Sequence, residues 1–314
     1  MKKYKNAKIF LAGHNGLVGS AIYQRLISKG FKKIITKNRK ELDLRDSSKV
    51  KKFLAKNKPE YIIIAAARVG GIKANNDQSG EFIFENLTIQ NNLIDGGYRI
   101  GVKKLIFLGS SCIYPKFSKQ PIKEKYLLES ELEKTNEAYA IAKIAGVKLC
   151  EYYNKQYSTN FLSLMPCNTF GKNDNYNLDS SHFLPALIKK IYLAKIKNKN
   201  FVELWGNGKT LRELIYVDDV ADAVVHFLFK KTKHHLINIG TEKEMTIENY
   251  AKIIMKILNL NLKIKYINKK LTGTPRKVLD CSLAKSYKWK SKIKIEDGLK
   301  TTIKDFKKNF KTYV

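Results

Sequence analysis

Ser110, Ser111 and Cys112 stand together where an apolar run ends, and Tyr139 precedes Lys143 by four residues. A hydroxyl, a phenol and an ammonium on adjacent elements form a proton relay suited to reducing a carbonyl. The hydroxyl shares the carbonyl oxygen and the phenol supplies the proton. Residues four apart on a helix lie on one face, so Tyr139 and Lys143 face the same partner. A tyrosine titrates near ~10 in solution and is a poor acid–base at neutral pH. A neighbouring ammonium, together with the charge of an oxidised nicotinamide, is expected to lower that value. Cys112 is a group the relay does not need, and as a thiolate it is reactive in its own right.

Such residues need elements that hold them. Short apolar runs at Lys8–Ala12, Lys33–Thr36, Tyr61–Ala65, Lys104–Leu108 and Phe161–Met165 read as strands buried on both faces. Helical stretches lie between them at Leu17–Ser28, Ser47–Asn57, Asn86–Ile100 and Ala138–Tyr153, with Asp46 placed as an N-cap of the second. This alternation predicts an α/β fold with a Rossmann-like, doubly wound parallel sheet. Further on, Val217–Lys230 and the stretch after Thr246 to Leu258 read as helices, and Leu236–Ile239 as a strand. Residues 171–212 and 243–314 lack the strand–helix rhythm and are expected to form a smaller, interleaved substrate lobe. The dinucleotide-binding part is then 1–170 with 213–242.

After the first strand comes Gly13-His14-Asn15-Gly16-Leu17-Val18-Gly19, which opens the first helix. Small residues let the backbone approach a pyrophosphate, and a helix N-terminus favours its charge. An acid at the end of the second strand would hold a ribose hydroxyl and favour NAD, whereas a base accepts a 2′-phosphate. Here Lys37-Asn38-Arg39-Lys40 follows that strand, so NADP(H) is the expected cofactor with Arg39 as phosphate partner and Asp43-Leu44 beside the adenine.

The chain has 314 residues, 44% of them hydrophobic and 28% charged, which reads as globular. Its formal charge of +32 invites a nucleic-acid partner. Against that, the basic residues are mostly lysines spread along the chain. Arginine, the residue favoured for bidentate phosphate and base contacts, is confined to Arg25, Arg39, Arg45, Arg68, Arg99, Arg212 and Arg276. No specific nucleic-acid binding is expected. Nor is a membrane partner: no run approaches the length of an uncharged span, and no apolar signal core follows Met1, so a cytoplasmic protein is expected. Cys112, Cys150, Cys167 and Cys281 are scattered without Cys/His ligand spacing, so no metal site is expected.

Three segments carry a family resemblance: Gly109-Ser-Ser-Cys-Ile-Tyr-Pro115, Asn136-Glu-Ala-Tyr-Ala-Ile-Ala-Lys-Ile-Ala-Gly146 and Val69-Gly-Gly-Ile-Lys-Ala-Asn-Asn76. Together with Ser180-Ser-His182, Trp205-Gly206, Leu211-Arg-Glu213 and Gly273-Thr-Pro-Arg-Lys277, they resemble the GDP-L-fucose synthase family within the extended short-chain dehydrogenase/reductases. The likeness runs from Lys8 to about Gly298. It implies 3,5-epimerisation of a GDP-4-keto-6-deoxy-hexose followed by NADPH-dependent reduction at C4. On this resemblance Cys112 is the epimerising base and His182 the acid, while Tyr139 protonates, Ser110 polarises the ketone and Lys143 binds the nicotinamide ribose. The cofactor is expected to lie along Gly13 to Gly19, Arg39, Asp43, Leu44, Leu108, Gly109, Ser110, Ser111, Lys143, Pro166-Cys167-Asn168-Thr169 and His182. Lys190, Trp205, Arg212 and Asp280 match substrate positions, and a homodimer through Asn86–Ile100 and Ala138–Tyr153 is implied. Asn15 and Lys190 stand where the family can carry arginine, and Cys167 where threonine is common.

Two other readings remain open. A nucleotide-sugar 4-epimerase would need neither Cys112 nor His182, and a 4,6-dehydratase would carry an Asp-Glu pair where this chain has Cys112-Ile113. A dinucleotide-sensing or polyanion-binding protein on the same fold is the third, since fold alone does not fix function.

Overall fold

The computed structural model describes residues 4–267 and 274–313, so Gly273 of the sequence motif lies outside the described residues. Its first half alternates as its apolar runs dictate. In chain order stand β1 (Lys8–Ala12), α1 (Leu17–Ser28), β2 (Lys33–Ile35), α2 (Ser47–Asn57), β3 (Tyr61–Ile64), α3 (Ile72–Asp77), α4 (Ser79–Arg99), β4 (Lys104–Leu108), α5 (Glu137–Tyr157) and β5 (Phe161–Pro166). Then follow β6 (Asn168–Phe170), α6 (Phe183–Ile196), β7 (Phe201–Trp205), β8 (Leu211–Tyr216), α7 (Val217–Leu228), β9 (Leu236–Ile239), β10 (Glu244–Thr246), α8 (Ile247–Ile257), β11 (Lys263–Ile267), α9 (Ser282–Ser286) and α10 (Ile295–Lys308).

The main sheet runs β2-β1-β3-β4-β5-β9, all parallel, with strand order reversing beside β1. Every residue of β3, β4 and β9 is buried, as strands covered on both faces require. Asp46 caps α2 as its position predicts, its carboxylate accepting from Lys49 N at 2.9 Å.

The segments without evident rhythm are more regular than expected. They contain α6, β7, β10, α8, β11 and α10 and the start of β8, with β7 and β11 parallel and β8 between β10 and β6. In β7 (Phe201–Trp205) buried positions are interleaved with exposed ones, and β10 and β11 contain no buried residue, so no contiguous apolar run marks them. Helix α4 starts at Ser79, earlier than the sequence suggests, and α5 extends to Tyr157. A second core gathers Phe170, Tyr176, Ile188, Leu214, Tyr250 and Phe306 apart from the sheet core. Leu17, Val18 and Ala21 of α1 pack against it, and Val18 and Ala21 also against the sheet core.

Candidate active site

The carboxyl ends of β1, β4 and β5 lie on one edge of the sheet, where a doubly wound fold opens its crevice. At the end of β1, Gly13 has φ +89, and a Cβ there would stand 2.5 Å from Ala66 N. A Cβ on Gly19 would stand 1.9 Å from Gly13 O, so turn and helix meet at a distance only glycine permits. Gly16 caps α1 without a side-chain bond, and the first turn holds no acid. The helix therefore presents unfilled N–H groups to an anion. His14 Nδ1 beside them is buried without a hydrogen-bond partner among the described residues. This cradle fits a dinucleotide pyrophosphate. Beyond β2, Arg39 keeps its side chain 67% exposed, with Asp43 3.9 Å away. Asp43 is gripped by Arg45, whose hydrogen bonds outweigh its burial and hold its pKa at about 2. Leu44 O accepts from Asn92 Nδ2, which ties this loop to α4.

The relay forms at the end of β4. Leu108 leads to Gly109, whose N–H bonds Leu164 O at 3.0 Å, and a short 3₁₀ turn follows at Ser111–Ile113. The Cys112 thiol donates to Ser110 Oγ at 2.9 Å, and the Tyr139 phenol bonds the same hydroxyl. Lys143 is brought in by close packing of α5. A Cβ on Gly146 would stand 2.5 Å from Phe107 Cζ and 2.8 Å from Gln90 Oε1, so no side chain fits between helix and sheet. Lys143 Nζ donates to Leu108 O at 2.9 Å and lies 4.7 Å from the Phe107 ring centre. Burial lowers its pKa to about 8, with the Cys112 charge opposing.

The ammonium's share of one expectation fails here. The Tyr139 pKa is not lowered by Lys143. Burial raises it, the Cys112 charge adds to the rise, and only the Ser110 hydrogen bond opposes. The ammonium is turned to Leu108 O and the Phe107 face, 5.8 Å from the Tyr139 ring centre. A phenol that stays protonated at neutral pH is an acid, the form that reduction of a ketone consumes.

His182 reaches the crevice by another route. It caps α6, exposed at the surface, and its pKa is lowered first by desolvation and then by the Lys277 charge. Gly71 N donates to Ser180 O at 2.8 Å, and a Cβ on Gly71 would stand 2.3 Å from Ser181 O. This contact gives the Val69–Asn76 motif its place: it opens α3 against the segment that carries His182. Phe82, edge-on to Tyr139 at 6.4 Å, stands 3.1 Å from where a Gly70 Cβ would lie.

Just past β5 Cys167 is buried, its N–H bonded to Ile239 O at 2.9 Å, and burial raises its pKa. Asn168 Nδ2 donates to Glu213 O, and Thr169 Oγ1 to Cys167 O, just beyond Pro166. The expected substrate residues fall in two places. Lys190 Nζ lies 4.8 Å over the Trp205 ring, which is 43% exposed. Arg212 donates to Leu211 O, and burial lowers its pKa to about 10. Asp280 accepts from Ser282 N at 2.8 Å, with Lys123 at 3.9 Å.

Comparison with known proteins places these features. The sequence profile of the NAD dependent epimerase/dehydratase family matches residues 9–240. The chain is 47% identical over 305 residues to "Putative GDP-L-fucose synthase 2" of Arabidopsis thaliana, covering 97% of this chain and 93% of that protein. The chain belongs to the NAD dependent epimerase/dehydratase family, in its GDP-L-fucose synthase branch. Among solved structures of the family, a GDP-6-OMe-4-keto-L-xylo-heptose reductase from C. jejuni superposes with a TM-score of 0.90 at 34% identity, covering 97% of this chain and 99% of that one. A GDP-L-fucose synthetase from Naegleria fowleri bound to NADP gives a TM-score of 0.88 at 29% identity, covering 98% and 95%.

Two charged residues of the crevice carried no role in the sequence. Lys277 lies within electrostatic reach of Cys112 and His182. Glu133 is buried and paired with Lys116 at 3.0 Å. Lys277 was visible as the last residue of a family motif; Glu133 had no signal beyond its place before the relay helix.

Proposed function

We propose that the chain inverts C3 and C5 of GDP-4-keto-6-deoxy-mannose and then reduces C4 with NADPH, giving GDP-L-fucose. The observation that carries this is the sharing of the Ser110 hydroxyl by the Cys112 thiol and the Tyr139 phenol. A reductase relay and a candidate carbon acid–base therefore meet at one ketone oxygen. The C4 ketone acidifies the neighbouring C–H bonds, so each centre inverts by loss of a proton to one face and its return from the other. Cys112 serves as the base and His182 as the acid. When bound, NADPH supplies the hydride for C4. The Gly13–Gly19 turn holds its pyrophosphate, Arg39 its 2′-phosphate, and Lys143 its nicotinamide ribose. Tyr139 then delivers its proton to the C4 oxygen while Ser110 polarises it. Lys190, Trp205, Arg212 and Asp280 hold the GDP end, where cations offset the diphosphate and the indole offers a flat face.

In this reading the outer faces of α4 and α5, with exposed Phe84, Ile141 and Tyr152, meet a second copy of the chain. Four unpaired cysteines are in keeping with a cytoplasmic setting.

The test is product analysis by NMR with GDP-4-keto-6-deoxy-mannose and NADPH. Wild type is expected to yield the L-fuco product. Cys112→Ser should slow inversion at C3 and C5 and leave reduction of an already inverted intermediate intact. Unimpaired inversion in that variant would remove Cys112 from its role, and cofactor held tightly but never consumed would replace the reading with a 4-epimerase.

A further inference from the structure

Asn75 is 5% exposed and directs its amide hydrogens at one stretch of backbone. Its Nδ2 donates to Gly70 O at 2.7 Å and to Gly71 O at 3.0 Å. Its Oδ1 is buried without a hydrogen-bond partner among the described residues. A buried acceptor without a donor is destabilising, and an apolar side chain of like size would avoid it. Packing alone therefore does not account for an amide at this position; its N–H groups do.

The stretch so held faces the segment that carries His182. Gly71 N donates to Ser180 O at 2.8 Å. Gly71 has φ −69, a conformation open to any residue, yet a Cβ there would stand 2.3 Å from Ser181 O. The glycine is thus required by the contact and not by the turn. On the far side, Ser180 N and Ser181 N both donate to Asn177 O, at 3.3 and 2.8 Å, and His182 follows directly as the cap of α6. The other end of the stretch has its own anchor. Asn86 Nδ2 donates to Arg68 O at 3.0 Å and to Phe82 O at 2.7 Å, and its Oδ1 accepts from Arg68 N at 3.0 Å. Phe82 is the residue edge-on to Tyr139, so Asn86 serves the relay side and Asn75 the His182 side.

We propose that Asn75 is a positioning residue for epimerisation: through Gly70 and Gly71 it sets where His182 stands. This rests on the epimerase–reductase reading above. In each inversion Cys112 takes the proton from carbon as the bonding electrons pass toward the C4 ketone, and His182 returns a proton to the opposite face. That delivery tolerates little displacement of the acid. Hydride transfer to C4 and protonation by Tyr139 need no proton from His182. A misplaced histidine therefore lets reduction overtake inversion.

The experiment is product partition by NMR with GDP-4-keto-6-deoxy-mannose and NADPH. Wild type, Asn75→Ala, Gly71→Ala, His182→Asn and the Asn75→Ala/His182→Asn double variant are compared. The rate of L-fuco product formation relative to reduction without inversion should fall roughly 10²-fold in Asn75→Ala and in Gly71→Ala. In the His182→Asn background, Asn75→Ala should change that ratio no further, because it acts through the missing histidine. General damage to the fold lowers both products together, so an unchanged ratio in the single variants overturns the inference. A further drop in the double variant as large as that in wild type overturns it too. Thermal melting and NADPH binding show which variants are folded, and Gly71→Ala carries the test if Asn75→Ala is not. A wild type that inverts nothing, or a His182→Asn variant with the wild-type ratio, would overturn the epimerase reading instead, so the two failures are distinct.

Discussion

At the scale of single residues, the site separates what a side chain is from the charge it carries. Ser110, Cys112, Tyr139 and Lys143 were legible because type, order and spacing are properties of the chain. Their protonation was not, because desolvation belongs to the packed interior. Tyr139 is raised by burial where its neighbour's ammonium was expected to lower it, and Lys143 falls to about 8 for the same reason. The tyrosine is thus a proton donor at neutral pH. Tyr139→Phe should lower kcat for NADPH oxidation by roughly 10²–10⁴-fold with little change in KM. Deuterium exchange at C3 and C5 should persist in that variant, because Cys112, Ser110 and His182 are untouched. Loss of both activities together would show that the phenol also serves the inversions.

Elements were legible in proportion to how completely they are buried. The sheet strands stand out as unbroken apolar runs, such as Tyr61–Ile64, because both faces are covered. Strand β7 interleaves buried with exposed residues, while β11 has only exposed and half-buried ones, so in Lys263–Ile267 the period of two is hidden among lysines. Strand β8 hides a different feature, the fully buried carboxylate of Glu213. It accepts from Thr241 N, Glu242 N and Leu279 N, yet desolvation still prevails and raises its pKa from 4.5 to about 7. The folded state then binds a proton that the unfolded chain has released. Its contribution to stability is full below 4.5 and is lost as pH rises through 7, an effect of roughly 3 kcal/mol at most. Melting temperature should decline over that range in wild type. Glu213→Gln should be less stable at acid pH, having lost the Leu279 N–H bond, and should show a visibly flatter pH dependence by calorimetry. An unchanged slope would mean that the carboxyl is ionised in the fold.

For the whole molecule, the formal charge of +32 and the exposed Phe84, Ile141 and Tyr152 act against each other in self-association. Apolar faces favour a pair of chains, while like charge opposes it over distances that salt shortens. Sedimentation should therefore show a dimer that strengthens as ionic strength rises, and Phe84→Glu with Ile141→Glu should give a monomer. A dimer that loosened with added salt, or survived both substitutions, would place the contact elsewhere. The two cores are divided in space but not in structure, since α1 offers Val18 and Ala21 to both. The same helix turns its uncapped first residues toward the phosphate cradle. It is a party wall between the sheet core and the second core. A load placed at Gly16, such as a seated pyrophosphate, meets through Val18 and Ala21 the packing of both cores.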